Sequence, residues 1–296
     1  MGKEVRGRIA PTPTGYLHLG HAHTFRQAWQ RARRAGGKVV LRMEDLDGHR
    51  CRPEFDSAIL EDLRWAGLDW DEGPDVGGPL GPYRQSERTS RYLDAWRKLL
   101  ELEYIYPCRR SRRDLATATL APHGEEAVFP PEWRPPVGTG KGELQPGDWN
   151  WRFRVPDGRV ISFCDGKQGW FQAEAGRDFG DFPVWRRDGV PAYELAVVVD
   201  DIEMKISEVV RGSDLLLSTC RQLLLYEALG SAPPGFFHAD LVRDTEGNRL
   251  AKRAGGLSLH DLKSMGVQAR DLPKLANSPL LWQEFLKKPK KSPPTS

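Results

Sequence analysis

Residues Val5 to Met43 read VRGRIAPTPTGYLHLGHAHTFRQAWQRARRAGGKVVLRM, and three patterns follow one another along them. "VRGRIA" reads as a short β-strand. Leu19, Ala22, Phe25, Ala28, Trp29 and Ala32 then recur at the spacing of one helix face until Gly36 and Gly37 stop the pattern, and "KVVLRM" reads as a second strand. Strand, helix and strand within about forty residues make a βαβ unit, for which parallel strands and a right-handed crossover are expected. The turn Pro13-Thr14-Gly15 then falls at the carboxyl end of the first strand, where open α/β sheets bind ligands.

His18 and His21 follow that turn, on either side of Leu19-Gly20. The exposed N–H groups and positive dipole end of a helix starting here favour an anion, and two imidazoles one turn apart can donate to the same phosphate chain. Gly20 has no side chain, so a flat base can approach its backbone closely. The alternative is a pair of ordinary surface histidines. A second signal is "NRLAKRAGG" at Asn248 to Gly256, where Lys252 and Arg253 sit in a glycine-rich segment after a strand-like "FFHADLV". Alone this is a solvated basic loop. Together with the histidines it describes a mobile cationic loop able to close on a departing pyrophosphate.

A chain of 296 residues, 39% hydrophobic and with 30 glycines, is long enough to bury a substantial core and shows no bias toward disorder. Its longest apolar run, "LAVVV" at Leu195 to Val199, is too short to span a membrane, and no secretory leader opens the sequence, so a cytoplasmic protein is expected. Cys51, Cys108, Cys164 and Cys220 lie far apart with no C-x-x-C pair, which suits reduced thiols and argues against an evident zinc site. The net charge of +3 says little about partners. Basic clusters at Arg31 to Arg34, Arg109 to Arg113, Arg249 to Arg253 and in the tail fit either a phosphate backbone or solvated faces.

Helices are expected over Pro53 to Ala66 and Thr89 to Glu103. Between Pro122 and Pro146 six prolines and four glycines leave room for neither a long helix nor an interior strand. "WRFRV", "VISFCD" and "FPVWRR" read as short strands, with a hairpin signal at Asp188-Gly189. Alternation of strand and helix returns with "AYELAVVVDD", "ISEVVRG" and a helix from Asp214 to Leu229. The reading is therefore an α/β fold whose parallel sheet is interrupted by an inserted domain.

"APTPTGYLHLGH" and "RLAKR" resemble the HIGH and KMSKS signatures of class I aminoacyl-tRNA synthetases, and "RIAPTPTG", "VLRMEDLD", "WDEGPDVGGPLGPYRQSER" and "YELAVVVDD" narrow the resemblance to the glutamyl subgroup. It runs from Arg8 to about Arg253 with interruptions. It implies a Rossmann-like catalytic domain that joins glutamate to ATP, releases pyrophosphate and passes the acyl group to a tRNA. By the same resemblance Arg8, Ile9, Ala10, Pro11 and Thr12 grip glutamate, Glu44 holds its ammonium, and Tyr193 and Arg211 complete that slot. His18, Gly20 and His21 hold ATP together with Arg249, Leu250, Ala251, Lys252 and Arg253, and Lys252 stabilises the departing pyrophosphate. Charge and positioning suffice for this chemistry. ATP is expected with Mg²⁺ on its triphosphate.

About forty residues follow Arg253, which leaves no room for the helical anticodon-reading region of full glutamyl-tRNA synthetases, and Val197 agrees with the "LAVVVDD" of a short branch. Members of that branch resemble bare catalytic bodies and attach glutamate to queuosine in tRNA(Asp). Glutamate, ATP and tRNA(Asp) are therefore the expected partners of a monomeric enzyme. A short synthetase for the tRNA 3′ end, or an inactive RNA-binding paralogue, are the alternatives. Two departures stand out. Where many short relatives carry a zinc site, this chain has Tyr106-x-Cys108 and Phe129-x-x-x-Trp133, so no structural zinc is expected and apolar packing of Phe129 and Trp133 takes its place. In the KMSKS-like run Arg249 replaces the first lysine and Ala251 the serine. The expected division is 1–104 and 186–240 for the two halves of the catalytic domain, 105–185 for the insertion, 241–283 for the KMSKS-like loop and stem-contact segment, and 284–296 for a disordered basic tail.

Overall fold

The computed structural model describes residues 4–110, 114–115, 128–142, 145–243, 257–278 and 281. Arg249, Leu250, Ala251, Lys252, Arg253 and the tail from residue 284 lie outside them. The chain divides into two compact units, Met1–Arg84 with Ser207–Asp214 and Phe237–Ser296, and Gln85–Ile206 with Leu215–Phe236.

The first unit is built on the βαβ segment. Strand β1 (Arg6–Ile9), helix α1 (Leu19–Arg34) and strand β2 (Lys38–Leu41) follow in order. β1 and β2 pair in parallel from Arg6 opposite Lys38 to Ile9 opposite Leu41. On the other side of β1 lies β8 (Glu208–Gly212), also parallel, and β9 (Gly235–Ala239) completes the order β2-β1-β8-β9. Gly7 explains how closely α1 can approach: a Cβ there would stand 3.1 Å from the Ala32 Cβ and 3.6 Å from the Ala28 carbonyl oxygen. Small residues on the buried face of α1 and no side chain on the strand below bring helix and sheet together.

Helix α2 (Pro53–Trp65) starts with a proline and carries Glu54 and Asp56 in its first turn, both suited to a helix N-terminus. It packs with the short α6 (Leu259–Ser264) and α7 (Leu272–Ala276) around a core that includes Ile9, Leu17, Leu41, Leu63, Leu262 and Leu275. Buried Arg6 makes a two-pronged pair with Glu72 at 2.8 and 3.0 Å, joined by the Tyr83 hydroxyl at 2.6 Å. Burial pushes the Glu72 carboxyl up, and Arg6 and Tyr83 more than reverse this, holding it below its usual value. The basic run at the end of α1 is largely committed within the unit. Arg31 pairs with Glu208 at 2.7 and 2.9 Å and lies over the Phe237 ring, and Arg33 pairs with Asp71 at 2.7 Å and with Asp69.

The second unit contains α3 (Thr89–Glu101), an antiparallel sheet ordered β3-β4-β7 (Ile105–Cys108, Asn150–Phe153, Phe182–Trp185) and a hairpin of β5 (Val160–Asp165) and β6 (Gly169–Glu174). After β7 the chain turns at Asp188-Gly189, where Arg186 N donates to Val190 O at 2.8 Å and Gly189 takes φ 83°. "AYELAVVVDD" then forms a helix, α4 (Tyr193–Glu203), with every residue from Glu194 to Asp201 buried. A helix enclosed on all sides has no polar face to betray its period, so the valine run reads equally well as a strand. Its buried Asp200 is matched by Arg88 Nε at 2.6 Å, Gln85 at 2.8 Å and the Tyr92 hydroxyl at 3.0 Å. Helix α5 (Leu216–Ala228) follows, entered by a 3-10 turn at Ser213–Leu215.

Phe129 and Trp133 meet edge to face with ring centroids 5.5 Å apart, in a cluster with Tyr106 and Cys108. Buried Asp181 anchors it, accepting hydrogen bonds from the Tyr106 hydroxyl, from Arg134 at 2.7 Å and from Val155 N at 2.9 Å. Burial and the Asp181 charge both push the Tyr106 phenol upward, so it stays a donor. All four cysteines are free. Among the described residues no helix is long and apolar enough to cross a membrane, and no cluster of three or more His, Cys, Asp or Glu is placed to hold a metal ion.

Candidate active site

His18 is the N-cap of α1, and the two histidines cap the helix reciprocally. Gly20 N donates to His18 Nδ1 at 3.1 Å, while His18 N donates to His21 Nδ1 at 3.3 Å. Their rings stack with centroids 3.7 Å apart. An imidazole that accepts through Nδ1 carries the proton of its neutral form on Nε2, so the capping bonds give both rings the same tautomer and make each a donor at Nε2. This answers why two histidines stand one turn apart: each satisfies a backbone N–H that a helix start leaves over, and each presents an N–H of its own.

The segment expected to hold glutamate runs along the carboxyl end of the parallel strands. Arg8 and Ile9 close β1, and Ala10, Pro11 and Thr12 continue it. Past the end of β2, Arg42 N donates to Ile9 O and Glu44 N to Pro11 O, each at 2.9 Å, which sets Glu44 against this segment. Arg42, fully buried, reaches the Glu44 carboxylate at 3.1 Å. On the opposite side of β1, the guanidinium of Arg8 donates to the Val210 carbonyl at 2.7 Å, next to Arg211 on β8. Arg211 in turn donates through Nε to His238 Nε2 at 3.2 Å, and both residues are buried. Three neighbouring strands thus contribute Glu44, Arg8 and Arg211, with two cations and one anion at the edge where a zwitterion carrying an extra carboxylate would lie.

Leu17 and His18 also meet the chain downstream of the KMSKS-like run. His18 bridges to Ser258, and Leu259 N donates to Leu17 O at 2.7 Å. Ser258 caps α6, with its hydroxyl accepting from Asp261 N at 3.0 Å. Tyr193 opens α4 in the other unit and is 41% exposed. Arg42, inside the run VLRMEDLD, and His238, in the strand-like FFHADLV, carry no assigned role in the sequence reading, and only the fold shows that each is buried against a motif residue.

A parallel strand paired on both sides, a histidine-capped helix behind it and charged groups at the strand ends agree with the class I synthetase resemblance. Residues 4–281 match the family model described as tRNA synthetases class I (E and Q), catalytic domain, and the chain belongs to that family. It is 48% identical over 272 residues to the Glutamyl-Q tRNA(Asp) synthetase of Nitratidesulfovibrio vulgaris, covering 90% of this chain and 84% of that protein. A Glutamyl-Q tRNA(Asp) synthetase of Symbiobacterium thermophilum is also 48% identical, covering 88% and 82%. The Glutamate--tRNA ligase of the same organism is 41% identical, covering 88% of this chain and 55% of the ligase. A crystal structure of a glutamate tRNA ligase from Elizabethkingia meningosepticum in complex with its amino acid superposes with a TM-score of 0.75 at 34% identity, over 86% of this chain and 53% of the ligase. The chain therefore spans about half the length of the glutamate–tRNA ligases it matches.

Proposed function

We propose that this protein activates L-glutamate with ATP and transfers the glutamyl group to queuosine in the anticodon of tRNA(Asp). The observation that carries the reading is the placement of Glu44 just past β2, Arg8 on β1 and Arg211 on β8, neighbours in the sheet that packs against the histidine-capped helix. Identity of 48% to two proteins named Glutamyl-Q tRNA(Asp) synthetase supports the acceptor.

In the first step a glutamate carboxylate oxygen attacks the α-phosphorus of ATP. The new acyl–phosphate bond forms as the bond to the β-phosphate oxygen breaks, and pyrophosphate leaves with the electron pair. Arg8 and Arg211 hold the carboxylates of glutamate, and Glu44 takes the ammonium. His18 and His21 donate through Nε2 to the phosphates, where negative charge grows during the step, and Gly20 leaves space for the base. Lys252, in the run Arg249 to Arg253, neutralises the pyrophosphate as it departs. Mg²⁺ arrives on the triphosphate as part of the substrate, held by its oxygens and water. In the second step a hydroxyl of queuosine attacks the acyl carbonyl, AMP leaves, and the new ester stays on the tRNA.

We place the enzyme in the cytoplasm, where its tRNA is found, and take residues 105–185 as an insertion between catalytic segments 1–104 and 186–240. Two assays test the proposal. Glutamate-dependent exchange between ATP and pyrophosphate without tRNA is expected; its absence at saturating glutamate removes the activity and leaves an RNA-binding paralogue. Glutamylation of queuosine-containing tRNA(Asp) with none of the queuosine-free form is expected. Equal labelling of both forms, released by cleavage of the 3′ end, favours the 3′-end reading that 41% identity to glutamate–tRNA ligases supports.

A further inference from the structure

We infer that His238 is a positioning residue that sets the orientation of Arg211 and so the selectivity for glutamate. The inference rests on the assignment of Arg211 to the glutamate slot. His238 lies on β9 and Arg211 on β8, neighbours in the sheet, and His238 is completely buried. Arg211 Nε stands 3.2 Å from His238 Nε2. A guanidinium N–H can only donate, so Nε2 is the acceptor, and the imidazole is neutral with its proton on Nδ1. This is the opposite tautomer from the one the capping bonds give His18 and His21.

A guanidinium recognises a carboxylate through two parallel N–H bonds, which demand that its plane and roll match the incoming carboxylate. The aliphatic stem of arginine leaves both free, and a bond at Nε removes the freedom to roll. At 5% exposure Arg211 has little water around it to supply that bond instead, so the imidazole replaces solvent at a defined point. A neutral acceptor also keeps the full positive charge on Arg211. A carboxylate in the position of His238 would offset that charge and weaken attraction for the ligand, whereas imidazole orients without competing.

The test compares His238→Leu, which keeps bulk and removes the acceptor, with His238→Gln, whose amide oxygen can reach the place of Nε2. The readout is ATP/pyrophosphate exchange on the full chain, with Arg211→Ala measured alongside. We expect H238L to raise the KM for glutamate by about tenfold to a hundredfold, the scale of a lost hydrogen bond to a charged group. The KM for ATP should stay within about twofold, H238Q should recover most of the glutamate affinity, and discrimination against glutamine should fall in H238L. If H238L does not fold, H238Q and His238→Asn carry the comparison, since the shorter amide cannot reach Arg211 and should behave as H238L was expected to. An unchanged glutamate KM in the acceptor-free variant, or equal loss of glutamate and ATP affinity not relieved by Gln, overturns the role of His238. An R211A variant with normal glutamate KM overturns the slot assignment itself, and the two failures are thereby told apart.

Discussion

At the scale of single residues, charge that appears only in the transition state separates the slot from the loop. Lys252→Ala should lower the adenylation rate by about two to three orders of magnitude with little change in glutamate KM, whereas Arg211→Ala should raise glutamate KM first; single-turnover exchange at varied glutamate distinguishes them. Much of this site is readable from the chain. His18, His21, Glu44 and Arg211 stand in recognisable runs, and their residue types match the ligand groups they would face. Arg42 and His238 are not readable in this way. A buried arginine two residues before Glu44 looks like a strand-edge charge, and a histidine inside "GFFHADLV" looks like part of an apolar strand. The partner of His238, Arg211, lies on the neighbouring strand, and burial rather than spacing is what sets Arg42 against Glu44 two residues on.

At the scale of elements, α1 combines a structural and a chemical duty in the same side chains. His18→Asn should separate them, because asparagine is a good N-cap and has no imidazole N–H to offer. The variant should keep its melting temperature, with a stability change below about 0.5 kcal/mol, and lose about ten- to hundredfold in exchange rate. A large drop in Tm instead would show that ring stacking on His21 carries stability. Helix α2 holds a carboxyl under strain of another kind. Asp62 is buried, its Oδ2 has no hydrogen-bond partner, and burial pushes its pKa up to about 6 against weaker opposing pulls from His260 and Lys263. The folded pKa lies above the unfolded value, so the folded state holds the proton more tightly, and stability falls as pH rises from about 4 to about 6. Above that window Asp62→Asn should stabilise the protein by about 1–3 kcal/mol, and below it the gain should vanish; thermal melts at pH 4 and pH 8 check both signs. The βαβ unit was legible because its amphipathic helix and flanking glycines announce a period and its ends. The helix Tyr193–Glu203 was not, because burial on every side erases the contrast that a period needs. Strand β6 was missed for a related reason, with Gly169, Trp170 and Gln172 interrupting any clean alternation.

At the scale of the molecule, Arg8, Glu44 and Arg211 all belong to the first compact unit. In the antiparallel unit Tyr106, Phe129 and Trp133 cluster, with Asp181 and Arg134 hydrogen-bonded at their side. Excess EDTA should leave the melting temperature and glutamate activation unchanged once free Mg²⁺ is restored, whereas Trp133→Ala should cost about 1–3 kcal/mol of stability through lost aromatic packing at this half-buried site and lower Tm accordingly. A shift on chelation would reveal an ion bound elsewhere in the chain. The wider consequence concerns supply. If chelation leaves the protein unchanged as expected, its maturation draws on aromatic packing within the chain and does not compete for a scarce structural ion.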